Sequence, residues 1–185
     1  VDSEVIAYML AKSRTEKPSV EEAVQDVMTK IEGGYALLVM SPRKLIAARD
    51  PYGLKPLCMG KIGNSVVFAS ETCALEAAGA TYVRDIAPGE IVIVDIAGVR
   101  SIYTPARRFA KCIFEYIYFA RPDSVMDGIS VYESRLRAGA LLARQHPVDA
   151  DIVIGVPESG IDAAMGYSRE SGIPYEKGFV KNNYA

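Results

Sequence analysis

Histidine, cysteine and net charge are all scarce in this 185-residue chain, and each scarcity closes off a class of chemistry. The single histidine, His146, stands before Pro147 at an expected helix end. It reads as a solvated terminus, so a histidine-based triad or a zinc centre is unsupported. The three cysteines, Cys58, Cys73 and Cys112, are odd in number and widely spaced. They form neither a disulfide framework nor a C-x-x-C metal motif, and a reducing, cytoplasmic setting fits them best. A formal net charge of -2 lacks the basic excess of a nucleic-acid binder. No apolar run approaches the ~20 residues of a membrane-spanning helix, no signal-peptide pattern opens the chain, and no internal repeat or low-complexity tract is visible. No initiator methionine precedes Val1, and the chain is expected to be an interior piece of a longer protein. What is present is apolar material. Hydrophobic residues make up 50%, too many for a disordered chain and enough for one or two packed cores.

The apolar spacing of residues 2–11 predicts a helix with Val5, Ile6, Met9 and Leu10 as its buried stripe. Pro18-Ser19 followed by Glu21-Glu22 predicts a second helix start. That helix carries Val20, Ala23, Val24, Val27, Met28 and Ile31 on one side and is expected to end at Gly33-Gly34. Short apolar runs broken by turn residues predict strands over 35–40, 44–49, 56–59 and 66–69, with turns at Ser41-Pro42 and Gly63-Asn64. A short helix is expected over 71–78, and a hairpin over 91–96 and 99–103 through Ala97-Gly98. Closely spaced strands after two helices imply layered α+β packing.

The character changes near Thr104, where Pro105 to Phe109 reads as a linker. Beyond it come a helix over 132–145 with Leu136, Ala140 and Leu141 inward, a buried strand over 151–156 and a helix over 161–171. Strand, tight turn and helix open a βαβ unit with a parallel sheet. The fold class is therefore α+β followed by α/β, with domains over 1–105 and 106–185.

Several short blocks bear on chemistry. Asp2, in Val1-Asp2-Ser3-Glu4-Val5-Ile6, places a carboxylate at a helix amino terminus, where it stays ionised and can pair with an ammonium; it is equally suited to an N-cap. Arg49-Asp50-Pro51-Tyr52-Gly53-Leu54-Lys55-Pro56-Leu57 is a turn, with Asp-Pro initiating it and Gly53 permitting positive φ. Ser70 is suited to cap the helix of Ser70-Glu71-Thr72-Cys73-Ala74-Leu75, and Pro88-Gly89-Glu90 reads as a turn before a strand. In Val153-Ile154-Gly155-Val156-Pro157-Glu158-Ser159-Gly160 a strand runs into a small-residue loop at a helix amino terminus. That arrangement presents backbone N–H groups to a phosphate or pyrophosphate. Gly160 allows close approach, and the Ser159 hydroxyl suits phosphate or a metal's water shell; a Ser-capped helix is the plainer alternative.

Taken in order with Cys112-Ile-Phe-Glu-Tyr-Ile-Tyr-Phe-Ala-Arg-Pro-Asp-Ser124 and Ser171-Gly-Ile-Pro-Tyr-Glu-Lys-Gly-Phe-Val-Lys-Asn-Asn-Tyr184, these blocks resemble the amidophosphoribosyltransferases. The first matches that family's D-[ST]-E segment, the second its R-D-x-x-G-x-[KR]-P-L turn, and the loop its V-P-[DE]-S pyrophosphate loop. The resemblance covers essentially the whole chain. It implies the C-terminal part of an N-terminal-nucleophile glutaminase (αββα) domain joined to the start of a phosphoribosyltransferase type I domain. The implied reaction makes 5-phosphoribosylamine, glutamate and pyrophosphate from glutamine and phosphoribosyl pyrophosphate, the first committed step of purine biosynthesis.

The resemblance assigns Asp2 to the α-amino group of glutamine. Ser159 and Gly160 are assigned to the pyrophosphate, Ser159 also to Mg²⁺, and Lys181 to nucleotide phosphate. Cys112 matches one of four thiolate ligands of a [4Fe–4S] cluster in the family's iron–sulfur subgroup. One thiolate cannot hold a cluster, so no cluster is expected on this chain alone. Asn183 stands where the family has arginine, which removes a bidentate phosphate ligand from the site of the implied purine-nucleotide feedback inhibitors. A homo-oligomer is implied for the parent protein. The family's Cys nucleophile and its D-D-S-x-x-R-G-T donor loop have no counterpart in the chain, so no catalytic nucleophile is assigned and the chain alone is expected to be inactive. Two rivals stand beside this reading. An asparagine-synthetase-like enzyme would need an S-G-G-x-D-S loop where Pro157-Glu-Ser-Gly stands, and a non-catalytic nucleotide-binding or assembly subunit of the same fold would fit the missing nucleophile.

Overall fold

The structure, a computed structural model, describes residues 1–105, 108–182 and 184. Its contacts divide into two compact units, one of residues 1–70 with 74–111, the other of residues 71–73 with 112–185. The boundary expected between 105 and 106 falls on residues 106 and 107, outside the described residues.

The first unit opens with α1 (Asp2–Arg14) and α2 (Val20–Met28). Ser19 caps α2, its Oγ accepting from the Glu22 N–H at 3.2 Å, and Ala23, Val24, Val27 and Met28 form its buried face. The helix stops short of Gly33-Gly34 because Thr29 and Lys30 donate their N–H groups to Asp26 and Val27 carbonyls three residues back, tightening the last turn. The expected stripe of α1 is only partly realised. Val5 is exposed, Ile6, Met9 and Leu10 are half-buried, and Ser13 is the one buried residue. Leu10 reaches the core, and Ser13 Oγ donates to Asp26 of α2 at 2.7 Å.

Seven strands follow: β1 (Ala36–Ser41), β2 (Lys44–Arg49), β3 (Cys58–Ile62), β4 (Ser65–Ala69), β5 (Thr81–Asp85), β6 (Glu90–Asp95) and β7 (Gly98–Tyr103), with the short α3 (Thr72–Ala77) after β4. They make two antiparallel sheets, ordered β1-β2-β6-β7 and β4-β3-β5. β5 goes unpredicted because it is an edge strand with half its residues in water and little apolar alternation. Side-chain alternation builds the layers. Ile46, Ala48, Ile91 and Ile93 pack on Val24 and Met28 of α2. Their neighbours Ala47 and Val92 point the other way, onto Leu57, Met59 and Ile86. Cys58, on the far face of β3, meets Leu75 of α3 and Ala80. The order is helix, sheet, sheet, helix, and β2 and β6 are buried on both faces.

At the end of β2 the chain buries two charges in succession. Asp50 is fully buried; its Oδ1 accepts from the N–H groups of Tyr52 (3.0 Å) and Leu54 (3.1 Å), its Oδ2 from Lys55 (3.0 Å) and Tyr35 (3.4 Å). The Arg49 guanidinium, also buried, donates to the carbonyls of Lys55 (2.8 Å), Ile86 (2.8 Å) and Gly53 (3.1 Å) and lies 5.9 Å from the Phe109 ring centroid. Gly53 takes φ +66°, and a Cβ there would lie 2.6 Å from that ring. Burial and the Asp50 charge push the Tyr35 phenol up to about 12. Glu90, read from sequence as part of a turn, is a buried acceptor: Arg84 grips both its oxygens (2.8 and 2.7 Å), and Ala87 N–H (2.8 Å) and Ser101 Oγ (2.6 Å) complete it.

In the second unit, a π-helical turn (Glu115–Phe119) and a small hairpin of β8 (Val125–Met126) and β9 (Ile129–Ser130) precede α4 (Val131–Gln145) and α5 (Ile161–Ser171). Ser130 caps α4 and His146 ends it. α4 and α5 touch backbone to backbone. A Cβ on Gly139 would sit 1.8 Å from Ala163 O, and one on Gly166 2.0 Å from Leu136 O. This contact turns Val131, Arg135, Leu136, Gly139 and Ala143 inward, so Leu141, expected inside, is exposed and Ala140 half-buried. The buried strand expected over 151–156 is reduced to one parallel bridge, Val153 to Tyr175. Ile152 and Ile154 are exposed, since a segment with a single bridging neighbour has no sheet to be buried in. The parallel direction across α5 is that of a βαβ unit. Ser70 is exposed and α3 starts at Thr72, so the corner works through the next two residues. Glu71 accepts from Arg121 N–H (2.8 Å) and Ser124 Oγ (2.7 Å), and Thr72 Oγ1 accepts from Val125 N–H (2.9 Å).

Two outcomes follow from these contacts. Gly139→Ala is expected to cost about 3 kcal/mol or more by overpacking, whereas Ala138→Gly, on the exposed side of α4, costs about 1 kcal/mol; urea unfolding of both variants checks the difference. Burial raises the Glu90 pKa, but hydrogen bonds from Arg84, Ser101 and the Ala87 N–H, with the Arg84 charge, outweigh it and hold the pKa below the ordinary value. Its stabilisation is therefore complete above the unfolded carboxylate pKa of about 4.3 and is lost as pH falls through the lower folded value. Urea midpoints measured down to that range should fall less steeply in Glu90→Gln than in the parent.

Candidate functional site

The 155–160 loop leaves the extended segment at Val153 and enters α5. Gly160 N–H donates to Val156 O at 3.0 Å and Ile161 N–H to Glu158 O at 3.3 Å, so the loop closes on itself at the helix start. The Pro157–Glu158 peptide is cis. A side chain on Gly160 would meet Val156 O at 2.8 Å. Gly160 is also the N-cap of α5, and no side chain caps the helix. The Ser-capped alternative for Ser159 is thereby set aside, and its half-buried hydroxyl is left for other partners. The amino terminus of an eleven-residue helix meets this loop, adding the positive end of its dipole.

Beside the loop lies a cleft of about 330 Å³, lined by Gly155, Pro157, Glu158, Tyr175, Lys177 and Lys181 among others. The fold thus brings Lys181 to the same cleft as the 155–160 loop, more than twenty residues away in sequence. Lys177 joins them. It went unremarked in the sequence, although its spacing of four from Lys181 on one extended segment was there to be read. Two ammonium groups and one carboxylate leave the cleft with a positive excess suited to an anion.

Ser159 and Gly160, although part of the loop, are not among the residues that line this cleft, and neither are the other assigned residues, Asp2 and Cys112. Asp2 is the first residue of α1, exposed, with Val1 as the N-cap and no side-chain cap bond. Its carboxylate stands open beside a helix amino terminus, where the dipole favours a negative charge. Cys112 is half-buried, and its carbonyl accepts from Glu115 N–H at 3.2 Å at the start of the π-helical turn. Cys58 and Cys73 are buried, and the Cys58 thiol donates to Ala69 O at 3.2 Å. Among the described residues no three His, Cys, Asp or Glu side chains converge as a metal site. Asn183 lies outside the described residues. Among the described residues no helix is long and apolar enough to cross a membrane.

Behind the loop is a group that sequence reasoning missed. Arg135, 3% exposed in its side chain, projects from the middle of α4. Its Nε donates to Tyr116 O at 2.7 Å and its Nη2 to Ala120 O at 2.8 Å, while Nη1 stands 3.5 Å from Asp162 Oδ2 in the first turn of α5. An arginine in a helical pattern usually reads as solvated, and nothing in the local sequence marks this one as buried.

Residues 1–77 match a family described as a glutamine amidotransferase domain. Over 99% of its length the chain is 47% identical to the amidophosphoribosyltransferase of Rhizobium etli, covering 38% of that protein. It is 45% identical to that of Methanocaldococcus jannaschii, again over 99% of its length, covering 42%. All of the chain superposes, with a TM-score of 0.93 and 42% identity, on 40% of the glutamine phosphoribosylpyrophosphate amidotransferase from B. subtilis complexed with ADP and GMP. The chain spans about two fifths of the length of the curated relatives it matches.

Proposed function

We propose that the chain is part of an amidophosphoribosyltransferase, as its relatives are named, and so of an enzyme that moves the amide nitrogen of glutamine onto phosphoribosyl pyrophosphate. The products are 5-phosphoribosylamine, glutamate and pyrophosphate, at the start of purine biosynthesis. Residues 1–105 form the C-terminal part of the glutaminase domain in this reading, and residues 106–185 the start of the phosphoribosyltransferase domain. The observation that carries the proposal is the meeting of the 155–160 loop, the amino terminus of α5 and Lys181 around one cleft.

The loop's backbone N–H groups and the Ser159 hydroxyl hold the pyrophosphate of the donor, with Gly160 keeping the approach open. Ser159 would meet the water shell of Mg²⁺, which would supply charge neutralisation at the donor's diphosphate. A hard cation with few protein ligands is the usual arrangement at such phosphates. Asp2 pairs with the α-amino group of glutamine. Lys181, with Lys177 beside it, faces nucleotide or donor phosphate. Purine nucleotides bind as regulators, as the ADP and GMP on the B. subtilis neighbour suggest, with Asn183 weakening the grip an arginine would give. The complete protein works as a cytoplasmic homo-oligomer. Cys112 ligates a [4Fe–4S] cluster in it together with cysteines from outside this chain.

The complete protein is expected to release pyrophosphate and glutamate in equal amounts only when glutamine, Mg²⁺ and phosphoribosyl pyrophosphate are all present. Purine-nucleotide binding with no such release would overturn this in favour of a binding subunit. Anaerobic purification should give about four iron atoms per chain, lost in Cys112→Ser; an iron-free parent would remove the cluster from the assignment.

A further inference from the structure

The buried guanidinium of Arg135 touches neither the 155–160 loop nor the cleft, yet it contacts the element that carries the loop. Resting on the function proposed above, we propose that Arg135 is a positioning residue for the phosphate loop. It locks the first turn of α5 to the segment 116–120, so that the loop's fit to a diphosphate depends on a side chain one layer behind it.

The argument runs through three directions of one rigid fork. Two donors bond the carbonyls of Tyr116 and Ala120, at the two ends of the Tyr-Ile-Tyr-Phe-Ala stretch. Carbonyls at the end of a helical turn carry partial negative charge and favour a cation. The third edge of the guanidinium faces Asp162, whose Oδ2 is buried and has no hydrogen-bond partner among the described residues, so that the 3.5 Å ion pair with Arg135 is the contact recorded for it. Asp162 directly follows Ile161, which lines the cleft and is bonded to Glu158 of the loop. Any shift of the Asp162 turn is therefore passed to the loop through that N–H. The backbone contact of Gly139 and Gly166 fixes how near α4 and α5 lie. At the far end Arg144 of α4 bonds both Glu170 oxygens of α5 (2.7 and 3.0 Å) and Tyr167 donates to His146 O (2.9 Å), but these are exposed contacts; at the loop end the buried Arg135–Asp162 pair is what resists sliding along the helix contact. A planar guanidinium can serve three acceptors at fixed angles, whereas a lysine ammonium at the same place cannot hold all three.

The test uses the complete protein, with binding of magnesium pyrophosphate and of phosphoribosyl pyrophosphate by calorimetry and steady-state kinetics. Asp162→Asn and Arg135→Lys are expected to raise KM for phosphoribosyl pyrophosphate by about tenfold, as loss of a supporting partner typically does. KM for glutamine and the hydrolysis of glutamine without the donor should stay at the parent values, and thermal midpoints near the parent's would show that folding is intact. Arg135→Met should shift the donor KM further still. A folded Asp162→Asn with unchanged donor KM overturns the proposal, even if Arg135→Met fails to fold. Equal loss for donor and glutamine also overturns it, because that marks a merely structural role. If the parent protein binds neither phosphate ligand, the functional reading itself has failed, and this inference with it.

Discussion

The turn after β2 is the constraint on which the first unit rests. Two adjacent charges, Arg49 and Asp50, are taken out of water there, which is costly unless each is fully engaged. Each is engaged with backbone. The carboxylate gathers amides from residue 35 and from the 52–55 turn, and the guanidinium gathers carbonyls from that same turn and from Ile86. The start of β1, the end of β2, the approach to β3 and the β5–β6 connection are thereby tied at one point. Sheet and turn are coupled: the alternation that buries β2 on both faces delivers its last residue to this position, and the buried pair fixes where the next strand starts.

The second unit solves a different problem with a similar device. Its two long helices meet through glycine, which brings backbones close but offers little to hold a fixed offset. Arg135 supplies that offset by tying α4 to the 116–120 carbonyls and to the first turn of α5. The cleft of the proposed function lies at the amino terminus of α5, where the loop and two lysines meet. In both units a buried arginine binds main-chain carbonyls.

Under the proposed function, phosphate recognition in this arrangement would be mostly a backbone property. In that reading Ser159 would contribute one hydroxyl and the lysines charge, while the loop is shaped by its own closure, in which the Gly160 and Ile161 N–H groups donate to the Val156 and Glu158 carbonyls and leave the other loop N–H groups to face a diphosphate. That explains why so short a stretch of sequence is so informative. A loop whose work is done by main chain must be built of small residues in a fixed order, and the order Gly-Val-Pro-Glu-Ser-Gly is visible without any structure.

Local features were legible for the same reason throughout. The helix start at Ser19, the end of α4 at His146, the hairpin before Tyr103, the strand over 44–49 and the helix over 161–171 each follow from chemistry within a few residues. The sequence alone also determined the layered α+β class and the family, because motif order along the chain survives without coordinates. Tertiary structure alone decided which residues are inside. Leu141 lost its place to the face carrying Arg135 and Gly139, since close backbone contact outranks the size of an apolar side chain. The 151–156 segment has one bridge in place of a sheet, since strand burial needs neighbours. Glu90, Arg135 and Asp162 took buried polar roles, and the half-buried Glu71 a bridging one, that no local pattern announces. Desolvating a charge is favourable only where partners distant in sequence converge on it, and that convergence exists only once the chain has folded.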